Sequence, residues 1–121
     1  MIEITEEDFN ISKVIEEAEN PDVGAVVTFL GIVRDDGISG MEIAVHEGAA
    51  AEELGKIRDE AMERFDIRSL DIHNRKGALP IGGKILLVVC GAPHRKDAFL
   101  ACEYVVDELH KRVPIQRKEL P

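Results

Sequence analysis

Only two cysteines, Cys90 and Cys102, occur in the 121 residues, and neither belongs to a C-x-x-C pair. That count excludes a disulfide scaffold and a thiolate zinc site. Both lie in stretches that otherwise read as core, so they are expected to be small buried hydrophobes. A catalytic thiol would need a nearby base and partial exposure. No apolar run approaches the ~18–20 residues of a membrane span, because Ile81–Val89 is interrupted by Gly82, Gly83 and Lys84. The segment Met1–Glu7 has neither the basic n-region nor the apolar h-region of a signal peptide, so the expected compartment is cytoplasmic. The four histidines are scattered without H-E-x-x-H spacing, and there is no P-loop, G-x-G-x-x-G or G-x-S-x-G. No metal site and no cofactor is therefore expected.

What is abundant is negative charge. The formal net charge is −9, which argues against nucleic acid as a partner. The charge is unevenly spread: residues 110–121 carry Lys111, Arg112, Arg117 and Lys118 against Glu119, a local +3 on a body of −12. A basic end on an acidic body is either a solvated terminus or an anion-binding element. The acid-rich stretches 5–7, 16–19 and 59–63 read as solvated faces, or as a docking patch for a basic partner.

The chain has no repeats, low-complexity tracts or linkers, so residues 1–121 read as one domain. Residues 2–4 suit a short strand. Asn10 or Ser12 can cap a helix running to about Glu19, closed by Asn20-Pro21-Asp22. Ala25–Leu30, continued through Gly31 to Val33, is a buried strand with Gly31 a candidate bulge. Asp35–Gly37 opens a loop, and Met41–His46 is the returning strand. Leu54, Ile57, Ala61 and Phe65 fall on one face of a helix over 50–65. Ile67–His73 alternates as a strand, Gly77–Gly83 is turn-rich, and Lys84–Cys90 is a second long apolar strand. The last helix starts at His94 or Arg95 and reaches Lys111, with Ala98, Cys102, Val105 and Leu109 as its core stripe; Pro114 stops it. Helices interspersed among hairpin-like strand pairs predict an α+β two-layer domain with an embedded ferredoxin-like β-α-β-β-α-β core.

Chemistry concentrates at three places. The first turn of the last helix holds His94, Arg95 and Lys96, where backbone N–H groups and the helix dipole favour a phosphate or carboxylate. Arg34 ends the first long strand and is a surface charge unless that strand end meets the His94 turn, in which case it is a second anion clamp. The tail Val113–Glu119 mixes apolar anchors with bases, and packed on the body it would carry Arg117 and Lys118 back to the helix start. His73 and His46 read as structural residues.

Four ordered segments resemble the MoaE family, the large subunits of molybdopterin synthases: Gly24–Arg34 (GAVVTFLGIVR), Arg75–Leu79 with Ile81-Gly82, Ala92–Arg95 with Ala98-Phe99, and Val113–Glu119. The resemblance implies an α/β hammerhead fold. It also implies a homodimer within a heterotetramer, each copy binding a small ubiquitin-like sulfur-carrier subunit. The implied reaction is sulfurtransferase chemistry: the thiocarboxylated C-terminus of the carrier delivers sulfur to cyclic pyranopterin monophosphate, forming molybdopterin. The implied pocket comprises Phe29, Ile32, Val33, Arg34, His94, Arg95, His110, Arg117, Lys118 and Glu119. The family's two pocket lysines fall at His110 and Arg117, with Lys111 and Lys118 each one residue later. Lys111 or Lys118 is therefore the expected acid/base, with His110 behind them. One residue is about 100° of helix rotation, so the displaced lysines also fit a non-catalytic paralogue that uses the anion pocket for binding or regulation. Residues 41–50 lack the tyrosine that the family usually carries on its strand there.

Overall fold

Apolar residues at every position from Ile85 to Cys90 demand cover on both faces of a sheet, and the chain provides it. The computed structural model describes residues 1–121. In chain order the elements are β1 (Ile2–Thr5), α1 (Ile11–Ala18), β2 (Ala25–Ile32), β3 (Gly40–Val45) and α2 (Glu47–Arg64). There follow β4 (Ser69–Arg75), β5 (Gly77–Pro80), β6 (Lys84–Ala92), α3 (Arg95–Arg112) and β7 (Ile115–Leu120). A four-stranded sheet has the order β1-β4-β6-β2, with β1 parallel to β4 and the other pairs antiparallel. A three-stranded antiparallel sheet has the order β5-β3-β7.

Side chains alternate across β6. Leu86, Val88 and Cys90 join the main core with Leu54, Ile57 and Ala61 of α2 and with Ala98, Cys102, Val105 and Leu109 of α3. Leu87 and Val89 face the other way, onto Phe9 and Ala18, with Ile11, Val14 and Ile15 of α1 packed alongside. The expected two layers are the sheet and the α2/α3 pair; α1 adds a short third layer behind. The order β-α-β-β-α-β runs from β1 to β4, but β3 leaves the main sheet and builds the second one. No helix is long and apolar enough to cross a membrane.

Local chemistry explains the boundaries. Asn10 caps α1, its Oδ1 accepting from the Lys13 N–H at 3.2 Å. The bulge expected at Gly31 is present: the β2–β6 register shifts between Gly31 and Ile32. Beyond it Ile32 is half exposed and Val33 is 1% exposed, with Arg34 turned to solvent. The turn-rich 77–83 stretch differs from expectation by containing β5. Pro80 is compatible with that strand because β5 is an edge of its sheet and needs no donor there. The tail is likewise a paired strand, β7, and not merely a packed segment.

The exit of β6 into α3 is tight. A Cβ on Gly24 would lie 2.4 Å from the Pro93 carbonyl oxygen, beside the Gly24 N–H to Ala92 C=O bond of 2.9 Å. Gly24→Ala is expected to destabilise the fold by about 1–3 kcal/mol through this overpacking. A urea denaturation midpoint equal to that of the unsubstituted chain would contradict it.

Candidate active site

The C-terminal turn of α3 and strand β7 build a polar site between them. The His110 Nδ1 lies 2.7 Å from the Val106 carbonyl oxygen, and its Nε2 lies 3.2 Å from Arg117 Nη2. A carbonyl only accepts and a guanidinium only donates. The network therefore assigns a neutral ring whose Nδ1–H donates to Val106 and whose Nε2 accepts from Arg117. His110 and Arg117 line a cavity of about 230 Å³ floored by Leu109, Val113 and Ile115. Arg117 also borders an adjoining cleft of about 320 Å³, together with Ile32, Arg34, Asp36 and Glu119. The Arg34 guanidinium pairs with Asp36 at 3.0 Å, with its side chain 83% exposed. Exposed pairs of this kind are worth little, so an incoming anion can displace Asp36. Desolvation lowers the Arg117 pKa, yet the group remains a cation near neutrality.

The basic tail is thus divided among different tasks. Arg112 is structural: its guanidinium bonds Glu60 at 2.7 and 2.8 Å, Glu53 at 3.2 Å and Glu108 at 3.3 Å. This cluster ties the last turn of α3 to α2 and so fixes the backbone that carries His110. Lys111 points to solvent and pairs with Glu108 at 3.5 Å. On β7, Arg117 and Glu119 share one face and line the cleft, whereas Lys118 lies on the other, opposite Glu42 of β3. His110 and Arg117 therefore occupy the clefts, and the neighbouring lysines do not. Strand alternation at β7 and rotation along α3 are the physical reasons.

His94 and Arg95 lie elsewhere. His94 is the N-cap residue of α3, and both side chains are exposed. The 18 residues of α3 set its two ends about 27 Å apart at 1.5 Å per residue. The β2–β6 register gives the same separation, since Ala25 sits opposite Ala92 and Ile32 opposite Lys84. Arg34 and the tail consequently do not meet the His94 turn within one chain, a correction to the single site that the sequence suggested. Between the two ends lies an apolar groove of about 350 Å³ lined by Val27, Phe29, Phe99, Cys102 and Val106 among others. Phe99 is 61% exposed there, and β2 beside it is a sheet edge.

Val33, expected in the pocket, is instead a core residue whose N–H and C=O bond Gly83 and Gly82. Burial pushes the Cys90 thiol up to about 12 and the Cys102 thiol up to about 11, which leaves both as unreactive core residues. His73 is buried and bonded through Nδ1 to Glu3 at 3.1 Å, a structural role. Sequence reasoning missed Asp36, Ile38, Met41 and Ile85 as cleft residues. A carboxylate two residues after Arg34 was the available signal for Asp36; the others depend on how the two sheets meet.

The two sheets, the three helices and an arginine-lined cleft define an α+β protein with an anion-compatible surface. A family profile described as "MoaE protein" matches residues 4–112. The molybdopterin synthase catalytic subunit of Pyrococcus abyssi is 41% identical over 118 residues, covering 94% of this chain and 80% of that protein. Its counterpart from Pseudomonas aeruginosa is 42% identical over 106 residues, covering 84% and 71%. Among solved structures, molybdopterin synthase from Staphylococcus aureus superposes with a TM-score of 0.90 at 33% identity, covering 97% of this chain and 88% of that one. A complex of subunits 1 and 2 of molybdopterin-converting factor from Helicobacter pylori shares the fold, with a TM-score of 0.84 at 24% identity over 98% and 83% of the two chains. The chain belongs to the MoaE family.

The Arg112 cluster makes a testable demand on stability. Hydrogen bonds from Arg112 and Tyr104 hold the Glu60 carboxyl at about 2, below its ordinary 4.5. A depressed carboxylate stabilises the fold above its unfolded pKa and ceases to do so as pH falls through its folded one. Arg112→Ala should lower the denaturation midpoint at neutral pH, and the gap to the unsubstituted chain should narrow between pH 4.5 and about 2. A gap that stays constant across that window would contradict the assignment.

Proposed function

We propose that this chain acts as the catalytic subunit of a molybdopterin synthase. It transfers sulfur from the thiocarboxylated C-terminus of a small ubiquitin-like carrier subunit to cyclic pyranopterin monophosphate. The observation that carries this reading is the meeting of Arg34, His110 and Arg117 at adjoining clefts in a chain whose relatives bear that enzyme name along most of their length. Arg34 and Arg117 bind the phosphate as charge-assisted donors, Ile32 and Glu119 border the bound pterin, and Phe29 walls the neighbouring groove. The small subunit is the partner, as subunits 1 and 2 are for each other in the Helicobacter pylori complex. The cytoplasm is the compartment consistent with this pathway.

A second copy of the chain completes the site. The edge of β2 and the exposed Phe99 and Leu100 beside it are the apolar surface that a second copy would cover. Antiparallel apposition about a two-fold axis lays α3 along its symmetry mate. His94 and Arg95 of one copy then stand beside His110 and Arg117 of the other, so each dimer holds two composite anion sites. With one carrier subunit on each copy the assembly is a heterotetramer.

Reconstitution with thiocarboxylated carrier and the pterin precursor is expected to yield the dithiolene product, and Arg34→Ala to raise KM by about 10–100-fold, the loss of one charge-assisted bond. No product above the carrier-only background would overturn the enzymatic reading, and an unchanged KM would remove Arg34 from the phosphate site.

A further inference from the structure

His110 and Arg117 form a pair whose geometry does more than supply two polar side chains. The Nδ1 proton is committed to the Val106 carbonyl at 2.7 Å, so the only free basic atom on the ring is Nε2. That lone pair is occupied by Arg117 Nη2 at 3.2 Å. Arg117 stands at the boundary between the His110 cavity and the Arg34 cleft and lines both. It therefore has a second place to point its donors without moving its backbone.

We propose that Arg117 caps the Nε2 lone pair of His110 in the resting protein, and that an anion entering the Arg34 cleft draws Arg117 away and leaves His110 as the general base of sulfur transfer. A hydrogen bond from a guanidinium to phosphate is charge-assisted, and is stronger than the same donor's bond to a neutral imidazole. The exchange runs in the direction required: cap off when substrate is bound, cap on when the site is empty. Imidazole exchanges protons near neutrality, whereas a guanidinium does not. Lys111 and Lys118 are outside both clefts.

The role rests on the sulfur-transfer reading. There, sulfur attached to the pterin remains acylated by the carrier's C-terminus until water cleaves that bond. The water oxygen bonds to the acyl carbon while one of its protons passes to His110 Nε2. The carbon–sulfur bond breaks and its electron pair stays on sulfur, giving a pterin thiolate, a protonated imidazole and the carrier's free carboxylic acid. The acid and the imidazolium then release their protons to solvent.

Two measurements test this. In labelled protein without substrate, nitrogen NMR of His110 is expected to report the Nδ1–H tautomer. Inorganic phosphate should shift the Nε2 resonance in the native chain but not in Arg117→Ala. An Nε2–H tautomer, or a phosphate response that survives Arg117→Ala, would overturn the cap. In single-turnover sulfur transfer at saturating pterin, His110→Ala is expected to slow product formation by about 10²-fold, with added imidazole restoring at least about tenfold. A rate for His110→Ala within about threefold of native, or a loss that imidazole cannot restore, would overturn the base. If the native chain itself makes no product, the sulfur-transfer reading fails with it, while the tautomer and phosphate results still decide the cap.

Discussion

The antiparallel pairing of β2 with β6 is the constraint on which the rest of the structure depends. It runs from Ala25 opposite Ala92 to Ile32 opposite Lys84, and β6 is buried on both faces along it. One end of the ladder delivers the chain through Pro93 into α3; the other delivers Arg34 to its loop. Because α3 packs back along the same two strands, its C-terminal turn returns to the Arg34 end. The ladder therefore sets which charged residues share a site and which are held about 27 Å away.

Charge is allotted with similar economy. The segment after residue 109 carries four cations, but only Arg117 borders a cleft. Arg112 is consumed by three glutamates of α2 and α3. That cluster holds the turn bearing His110 in place. The bulge at Gly31 has a matching effect on the opposite wall, since the shift of register buries Val33 and turns Ile32 and Arg34 outward. Two local irregularities, one ionic and one steric, thus position the histidine and the arginines that meet there.

Much of this was legible in the residues. The apolar runs at 25–30 and 84–90, the helical stripe Ala98-Cys102-Val105-Leu109, the Asn10 cap and the Gly31 bulge all express local preferences that the tertiary structure keeps. The motif residues Arg34, His94 and Arg95 were recognisable too. Their distribution in space was not, because strand register and direction are set by long-range pairing and leave no local mark. That Lys111 and Lys118 stand outside the clefts while His110 lines one was not legible for a related reason. Only when 115–120 is known to be a strand does alternation separate Arg117 and Glu119 from Lys118, and only the packing of α3 on β2 and β6 says which way position 110 faces.

In the proposed dimer each site combines the His110/Arg117 end of one copy with the His94/Arg95 turn of another. Mixing two inactive variants tests it most directly: a chain carrying both His110→Ala and Arg117→Ala, and a chain carrying both His94→Ala and Arg95→Ala. Each alone should transfer almost no sulfur. After subunit exchange in equal amounts, half the dimers are mixed and one of their two sites is intact, so activity should return to about a quarter of the native level. A mixture as inactive as its components, in a preparation where exchange of subunits has been verified, would contradict the account.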